Sequence, residues 1–532
     1  MQRRNFLKIA APVATILPSL LSGLHVKAYR SLPFFGGWSG EGAADNDHVL
    51  VLIQMFGGND GLNTVIPFDE YSQYNSLRTN IAIPEGSILK LGINDKSGLH
   101  PAMTGMQSMY QNEELSIIQS VCYPNPDLSH FRATDIWLTG SDSDQYLNTG
   151  WVGRVLQDTY TNYPIGYPNP TMPDPLAIQI GSVLSPTFMA TSGPTAMVVP
   201  EDADFYGLIN GVTSSEPNTP MGTEVTYLRT IARQTNKYAA VVTAAYNKVT
   251  QQYAGYPANN DLAAQLKTVS RLIAGGLKTK VYMVNTGGFD THGGQVNGGD
   301  TTSGYHAQLL GDLSAAIAAF QADLKFLGTD KRVMGMTFSE FGRRIVSNGS
   351  LGTDHGAGQP VFVFGLSVNG GILGTSPVLP ATSDDEAIVP MQYDFRSVYS
   401  TILRDWLCVP AADVSTMLLN NYQYLPFVKG TACENTIDDL NNIGSNLILN
   451  YPNPFTDSTN ITYTTSGGHT LVQVFDVAGH LINVLVDQVY PGPGTYTVTF
   501  TTTALASGIY YARLQNGSVA QVKTMLKVNI NQ

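Results

Sequence analysis

The sequence is poor in charged residues and cysteine, and its few charges are biased towards acid. Charged residues make up 13% of the 532 residues, about half of the roughly 25% that is usual for soluble domains. Acidic residues outnumber basic ones by 41 to 29, which gives a formal net charge of −12. This balance argues against a nucleic-acid-binding protein, because such proteins neutralise phosphates with a basic surface. Uncharged polar residues and 27 tyrosines supply the polarity instead, which is typical of an exported protein.

Three cysteines are too few to stabilise a chain of this length by disulfide bonds alone, so a disulfide-dependent scaffold is excluded. Cys408 and Cys433 both lie near the end of one predicted domain and could pair, which would leave Cys122 over. The alternative is three small buried thiols. The sequence leaves both possibilities open.

The first residues have the pattern of an export signal. Arg3 and Arg4 precede an apolar stretch over residues 9–24, which two prolines interrupt, and this order is typical of a signal peptide. The paired arginines resemble a twin-arginine (Tat) signal over residues 1–28, which implies passage through the Tat translocon and the periplasm. An uncleaved membrane anchor is the alternative, although the stretch is short for a span of about 20 residues. No later segment reaches that length without a charge, Gly or Pro, so we expect no integral membrane segment in the mature chain.

Residues 45–430 alternate buried apolar strands with amphipathic helices. Continuous apolar runs separated by helices predict an α/β fold, with a mostly parallel sheet covered by helices on both faces. The predicted strands are 48–55, 115–121, 280–285, 332–338 and 361–364, and the predicted helices are 101–112, 130–138, 224–252, 260–273, 305–326 and 394–407.

The pattern changes in the last part of the chain, where helical periodicity disappears. Short segments of alternating polarity, separated by turn residues, predict a small all-β sandwich over residues 447–532, joined by a linker at 431–446. The predicted strands are 458–465, 470–476, 494–501, 508–515 and 522–528.

Three blocks of this last domain, at residues 451–455 (YPNPF), 474–479 (VFDVAG) and 505–511 (LASGIYY), form a recognisable set. In this order they resemble the C-terminal sorting domain of type IX (Por) secretion. The resemblance implies contact with the type IX secretion machinery and an extracellular or outer cell-surface location. A carbohydrate-binding or adhesive β-sandwich is the alternative, but the aromatic residues stand mostly at alternating, core-like positions.

Acidic residues and histidines lie next to the predicted strands of the α/β domain. Ligands bind at the carboxyl edge of such a sheet, so we expect these residues to converge there. Asp290 and His292 lie on the same side of an extended segment, and a carboxylate with an imidazole suits Zn²⁺ or Mn²⁺ better than Ca²⁺. Each residue alone could instead be solvated or capping. The predicted ligands of a divalent metal (Zn, Mn, Mg or Ca) are Asp60, Asp290, His292, Asp354 and His355.

Ser129 is the candidate nucleophile. It precedes a predicted helix, whose amino end would favour a bound phosphate or sulfate. The alternative is an ordinary helix N-cap, for which serine is preferred. Arg132 and Arg343 could hold an anion or could be solvated charges, and Glu340, at the end of a predicted strand, completes the candidate catalytic set.

The motifs that carry these residues are FGGNDGLN (56–63), YPNP (123–126), SHFR (129–132), GFDTH (288–292), SEFGR (339–343), TDHG (353–356) and DFRSVY (394–399). Over about residues 45–427 they resemble the family called domain of unknown function 1501. The resemblance implies the alkaline phosphatase/sulfatase fold, one or two divalent metals, and an alkoxide-type nucleophile that acts on phosphate or sulfate esters. It places Asp60 at the first-strand metal position, Ser129 at the nucleophile position, and Asp354-His355 at a pair of metal ligands.

The sequence also departs from the pattern of that superfamily. Asp290 and His292 are two residues apart where the superfamily has four, and no histidine follows His355 within the α/β domain. A sulfatase-like motif begins at Cys122 but carries Pro126 where arginine is required. These departures make a two-metal site doubtful and argue against formylglycine chemistry.

The sequence therefore favours an exported, surface-directed, metal-dependent hydrolase of phosphate- or sulfate-type esters, with a small anionic ester or a glycan as substrate. The alternative is a catalytically silent cell-surface protein of the same fold that binds a glycan or a protein partner. The missing ligands and the Tyr- and Asn-rich composition favour this alternative.

Overall fold

The computed structural model describes residues 46–92, 96–200, 237–382, 384–430, 433 and 448–528, the last range with short gaps at 452, 454, 466, 477–479, 493, 503–504 and 517–518. The predicted signal peptide at 1–28, the linker at 431–446 except Cys433, and the first part of the helix predicted at 224–252 lie outside the described residues. Within the described ranges, no helix is both long enough and apolar enough to cross a membrane. The domain bounds 45–430 and 447–532 stay predictions.

A nine-stranded sheet forms the centre of the α/β part. The strands of this part are β1 (Val49–Met55), β2 (Val65–Pro67), β3 (Leu89–Lys90), β4 (Ser97–Leu99), β5 (Leu115–Cys122), β6 (Ala177–Ile180), β7 (Met189–Ala190), β8 (Gly193–Pro194), β9 (Ala196–Val199), β10 (Val281–Thr286), β11 (Val333–Ser339), β12 (Gln359–Phe364), β13 (Gly371–Leu373) and β14 (Tyr393–Asp394). The spatial order in the sheet is β13-β5-β12-β11-β1-β10-β6-β9, and β14 pairs with β5. β2, β4 and β3 form a small separate sheet, and β7 pairs with β8.

Both faces of the central sheet are buried by helices, as the apolar runs predict. Along β1, Leu50 and Leu52 belong to one hydrophobic core and Val51 and Ile53 to the other, because successive side chains point to opposite faces. The first core includes residues of the helices His130–Thr139, Trp151–Thr159, Phe395–Thr401 and Ala411–Met417. The second includes residues of the helices Thr104–Gln111, Asp261–Ala274 and Tyr305–Phe326 and of a helical stretch at 237–248. Two further short helices are Gly61–Thr64 and Tyr71–Leu77.

The mostly parallel sheet is confirmed, with one exception that matters for the site. β12 runs antiparallel to both of its neighbours, β11 and β5, whereas β1 is parallel to β10 and β11. The amino end of β12 therefore lies at the edge where β1, β5, β10 and β11 have their carboxyl ends. This orientation brings the loop before β12 to the same edge as the loops after the other strands.

The C-terminal part is an all-β region, as predicted. Its strands are β15 (Ile448–Tyr451), β16 (Ser458–Thr465), β17 (Gly468–Asp476), β18 (Leu481–Tyr490), β19 (Gly494–Thr501), β20 (Gly508–Asn516) and β21 (Val519–Lys527). They form two antiparallel sheets, β15-β16-β19 and β18-β17-β20-β21. Phe455, Val472 and Phe500 are among the buried residues of a separate core. β15 and β18 are additional to the strands predicted from the alternation.

A disulfide bond joins Cys408 to Cys433, and Cys122 is buried without a disulfide partner. The alternative of three buried thiols is therefore wrong. Burial raises the pKa of the Cys122 thiol to about 12, so this residue is an inert packing group.

Candidate functional site

Four loops meet at one edge of the central sheet. The loop after β1 contributes backbone groups of Gly57 and Gly58, and the other three carry predicted site residues. The loop after β5 leads into the helix that starts at His130, and the loop after β10 carries Asp290 and His292. The connection between β11 and β12 carries Asp354 and His355. These five side chains come together although they lie far apart in the sequence.

Three imidazoles surround one carboxylate at this edge, and we call His130, Asp290, His292 and His355 the histidine–aspartate cluster. The Nε2 atoms of His292 and His355 lie 3.1 and 3.5 Å from Asp290 Oδ1, and His130 Nε2 lies 3.6 Å from Asp290 Oδ2. The two Nε2 atoms of His292 and His355 are only 2.8 Å apart. One ligand atom each from His130, Asp290 and His355 lies within 4.8 Å of the others, which is close enough for a shared metal ion.

The other nitrogen of each imidazole, Nδ1, faces an oxygen acceptor. Because a carboxylate or a carbonyl can only accept, these contacts place a proton on each Nδ1, and a neutral ring then has its lone pair on Nε2. The same arrangement is found around metal-binding histidines, whose second nitrogen is held by a carboxylate or a backbone carbonyl. The three acceptors, each at 2.8 Å, are Glu340 Oε1 for His130, Asp354 Oδ1 for His292, and the Leu128 carbonyl for His355.

Asp354 and Glu340 therefore support the cluster from outside it. Asp354 accepts hydrogen bonds from His292 and Asn348, and the bond from His292 is the main reason why the pKa of Asp354 is below its usual range. The Glu340 side chain is almost fully buried and also accepts from the Gly57 N–H at 2.9 Å. Asp354 was predicted as a metal ligand and Glu340 as catalytic, and in this geometry both orient a histidine.

Arg343, predicted to hold an anion, is buried and bound to other groups of the protein, and this geometry favours a positioning role. Its guanidinium donates to the carbonyls of Gly57, Gly58 at 2.6 Å and Thr353 at 3.0 Å, and to Asp290 Oδ1 at 2.7 Å. Burial alone would raise the pKa of Asp290, but the hydrogen bond and charge of Arg343 outweigh it and lower that pKa. Arg343 thus keeps Asp290 ionised and fixed in position.

Arg132, also predicted to hold an anion, donates to internal acceptors instead. Its Nη1 pairs with Asp135, and its Nη2 donates to the carbonyls of Asp142 at 3.0 Å, Ser143 at 3.1 Å and Gln145. A buried guanidinium needs several acceptors to offset the loss of water, and here one loop supplies them. Arg132 therefore holds that loop against the helix.

Asp60 does not reach the histidine–aspartate cluster, so its prediction as a metal ligand is not supported by the geometry. The side chain is fully buried, and its two oxygens lie 2.9 and 2.7 Å from Arg78 Nη1. Gln295 Nε2 donates to Oδ2 at 2.6 Å. Burial by itself would raise the pKa of Asp60, but the charge and hydrogen bond of Arg78, together with His306 and Gln295, outweigh burial and lower that pKa. A carboxylate in this environment is neutralised by an arginine, which the sequence reasoning overlooked.

Ser129 is the N-cap of the helix that starts at His130, and its exposed side chain makes no capping hydrogen bond. The residue before it, Leu128, contacts His355 through its carbonyl, and the residue after it is His130. The Ser129 hydroxyl is therefore available beside the cluster. His130 is not among the predicted site residues, although it lies in the SHFR motif. Its position directly after the candidate nucleophile is the signal that could have revealed it.

Two parts of the chain match known families. Residues 199–410 match the family model described as a protein of unknown function (DUF1501), and residues 450–528 match the secretion system C-terminal sorting domain. Both resemblances are confirmed, the first over a shorter range than the motifs suggest, since Ser129 and His130 lie outside it. The sorting domain indicates export to the cell surface or the extracellular space. No curated protein matches the chain in sequence.

Several solved structures are similar to the chain at low identity. A protein in the alkaline phosphatase superfamily from Vibrio parahaemolyticus is 11% identical, with 83% of this chain and 82% of that chain covered and a TM-score of 0.33. A structure from glycosaminoglycan metabolism by Bacteroides thetaiotaomicron gives 11% identity, 82% and 89% coverage and a TM-score of 0.33. The alkaline phosphatase of the Antarctic bacterium TAB5 gives 11% identity, 60% and 92% coverage and a TM-score of 0.24. At this identity and TM-score, no argument about this chain rests on them.

Proposed function

We propose that the protein is an exported hydrolase of phosphate- or sulfate-type esters that works with a divalent metal ion held by His130, Asp290, His292 and His355. The observation that carries the proposal is the 2.8 Å contact between the Nε2 atoms of His292 and His355. When both rings are neutral with the proton on Nδ1, two lone pairs face each other. Such a contact is repulsive unless a proton or a cation lies between the two nitrogens.

A metal ion accounts for the whole cluster, whereas one added proton does not. A proton on His292 Nε2 would satisfy the contacts of His292 alone. His130 and His355 would still present lone pairs to the Asp290 carboxylate at 3.6 and 3.5 Å. A set of three imidazoles and one carboxylate suits Zn²⁺ or Mn²⁺, and the acceptor behind each ring is the support that such ligands require.

The residues around the cluster have distinct roles in this proposal. The ion, when bound, would supply Lewis acidity towards an ester oxygen and the attacking hydroxyl. Ser129 would be that hydroxyl, because it is exposed and lies between two residues that contact the cluster. Glu340 orients His130, and Arg343 fixes Asp290. Both are positioning residues.

One observation favours the second candidate, a catalytically silent binding protein of the cell surface. The two arginines that were expected to hold the anionic ester, Arg132 and Arg343, are committed to internal carbonyls and carboxylates. A catalytically silent protein has no need of a free positively charged side chain beside the cluster, because it holds no anionic ester there. A hydrolase must hold the charge of its substrate mainly through the metal ion and the amino end of the helix at His130.

Metal analysis of the purified protein tests the first half of the proposal. We expect close to one Zn or Mn per chain by mass spectrometry after dialysis, and loss of that metal in the His355→Ala variant. His469→Ala is the matched control, because His469 is an exposed histidine that pairs with Asp487 in the C-terminal region. Wild-type protein that takes up neither metal after incubation with either salt would refute the metal site.

Turnover of chromogenic esters tests the second half. We expect the metal-loaded protein to hydrolyse p-nitrophenyl phosphate, bis(p-nitrophenyl) phosphate or p-nitrophenyl sulfate. Ser129→Ala should lower kcat more than about a hundredfold if Ser129 is the nucleophile, whereas Ser76→Ala, at an exposed helical serine, should not change it. Metal-loaded protein that cleaves none of the three esters would support the silent alternative, and an active Ser129→Ala variant would remove Ser129 from the mechanism.

A further inference from the structure

A cleft of about 890 Å³ opens at the same sheet edge, beside the histidine–aspartate cluster. Phe131, which directly follows His130, lines one side of it, and Phe56 and Asn285 line it near the ends of β1 and β10. Phe56 precedes Gly57, whose N–H bonds to Glu340. Residues that line the cleft therefore adjoin, in sequence, the loops after β1, β5 and β10, which also build the cluster. No member of the cluster itself is among the described lining residues.

Three carboxamides on neighbouring strands line this cleft. Gln54 on β1 is in register with Asn285 on β10, so their side chains project from the same face of the sheet. Gln179 on β6 is in register with Met283, two residues before Asn285, and therefore shares that face. Gln179 is occupied by its own loop, since it donates to the Val183 carbonyl at 2.8 Å and accepts from the Ser185 N–H at 2.7 Å.

The other two carboxamides lack partners. Gln54 is only 2% exposed, and in the described part of the chain its amide makes no hydrogen bond. The side chain of Asn285 makes none either within these residues, since its contacts with Gln265 involve only its backbone. Asn285 is half-buried, and no polar side-chain atom of Gln54 or Asn285 is both shut off from solvent and without a partner, so both amides reach the open cleft. There a ligand or water can supply their hydrogen bonds.

The remaining lining is nearly uncharged and combines aromatic and aliphatic side chains with the hydroxyls of Thr134, Ser182 and Ser185. The Phe131 side chain is 91% exposed and Phe56 is 40% exposed, although large aromatic side chains are usually buried. Among the described residues that line the cleft, Asp135 is the only charged one, and it is paired with Arg132. A ligand for this surface needs apolar faces for the rings and uncharged groups that both donate and accept hydrogen bonds.

We infer that this cleft binds an uncharged sugar unit, with Gln54 and Asn285 bonding its hydroxyls and Phe131 and Phe56 packing on its C–H faces. A pyranose ring has this combination of an apolar face and a rim of hydroxyls. Sugar binding by the cleft stands apart from the proposed hydrolysis, but the identity of the substrate rests on the proposed function. If the cluster cleaves phosphate or sulfate esters, the substrate is a glycan that carries such an ester next to a neutral sugar.

Binding can be measured separately from hydrolysis. The full chain, stripped of metal with a chelator, would be applied to a microarray of neutral gluco-, galacto-, manno-, xylo- and chito-oligosaccharides, and the strongest ligand would be titrated by calorimetry. We expect measurable binding, weakened at least about tenfold in Gln54→Leu and in Phe131→Ala. Phe326→Ala is the matched control, because Phe326 is 57% exposed at the end of a different helix, and it should bind like wild type.

Thermal unfolding of the same variants separates a binding role from a structural one. Leucine is close to glutamine in size, and Gln54 has no protein partner to lose, so Gln54→Leu should melt no lower than wild type. A marked drop in its melting temperature would show that the amide serves the fold, and would overturn the assignment.

The remaining outcomes distinguish this inference from the proposed function. Ester turnover without binding of any neutral oligosaccharide would overturn the sugar cleft and leave the hydrolase standing. Sugar binding in a protein that neither takes up metal nor cleaves esters would overturn the hydrolase and leave the cleft. Binding of a peptide panel in preference to all sugars would also overturn the inference.

Discussion

The buried pair of Asp60 and Arg78 offers a direct test of where a metal ion can bind. Asp60 was predicted as a ligand, yet both side chains are fully buried and joined at 2.7 Å. Asp60→Asn removes the negative charge and leaves the guanidinium buried without compensation, which typically costs about 3–5 kcal/mol. The Asp60 carboxylate accepts hydrogen bonds from both Arg78 and Gln295. The NH₂ group of an asparagine would instead place a donor against one of these two donors. We therefore expect the free energy of unfolding to fall by about 3 kcal/mol or more.

Two assays on one preparation decide the question. Urea unfolding gives the loss of stability, and mass spectrometry gives the metal content per chain. The structure predicts a large loss of stability with an unchanged metal content in Asp60→Asn. Asp69→Asn is the matched control, because Asp69 pairs with Lys96 at 3.5 Å on the surface, where such a pair contributes less than about 1 kcal/mol. Metal loss from Asp60→Asn with little change in stability would refute the reasoning and restore Asp60 as a ligand.

Three further predictions concern the fold around the site. A Cβ on Gly57, at φ +118°, would lie 2.3 Å from the backbone nitrogen of Asp290. Gly57→Ala should therefore weaken metal binding at least about tenfold. Gly299→Ala is the control, because Gly299 has φ +89° but open space around it, and it should leave metal binding unchanged. Burial lowers the pKa of His306 from 6.5 to about 4 and that of His100 from 6.5 to about 3. Below pH 6.5 the unfolded chain therefore binds more protons than the folded one, and the free energy of unfolding should fall by about 2 kcal/mol per histidine between pH 6.5 and about 5. Urea unfolding measures this fall, which should be shallower in His306→Gln. Cys408→Ser opens a disulfide with a sequence separation of 25 and should cost about 3 kcal/mol, a loss that reductant reproduces in wild type and does not increase in the variant.

The central strands could be predicted because each is a continuous apolar run that both faces of the sheet bury. The predicted strand 280–285 is β10 (Val281–Thr286), and 332–338 is β11 (Val333–Ser339). Such a run does not indicate the direction of the strand, because a strand that is buried on both faces has the same apolar pattern in either direction. For this reason the antiparallel orientation of β12 could not be predicted from the segment 361–364.

The site was predictable at the level of loops but less so at the level of side chains. Asp290, His292, Asp354 and His355 converge as expected, because strand ends bring their loops together. The predicted roles of the charged residues are less accurate, because burial decides whether a charge is available. Arg343 illustrates this: its position after a strand suggested an exposed cation, but the fold buries it among carbonyls that no local pattern identifies.

The antiparallel orientation of β12 makes the histidine–aspartate cluster possible. If β12 were parallel to β11, the loop before it would lie at the opposite edge of the sheet, and His355 could not approach Asp290. Close backbone contacts hold this connection in place: the Arg343 backbone pairs with that of His355, and a Cβ on Gly356 would lie 2.3 Å from the Arg343 carbonyl carbon. From there the Arg343 side chain bonds to Asp290 and to the loop after β1. One arginine thus links three loops, and the position of Asp290 among the three imidazoles depends on that link.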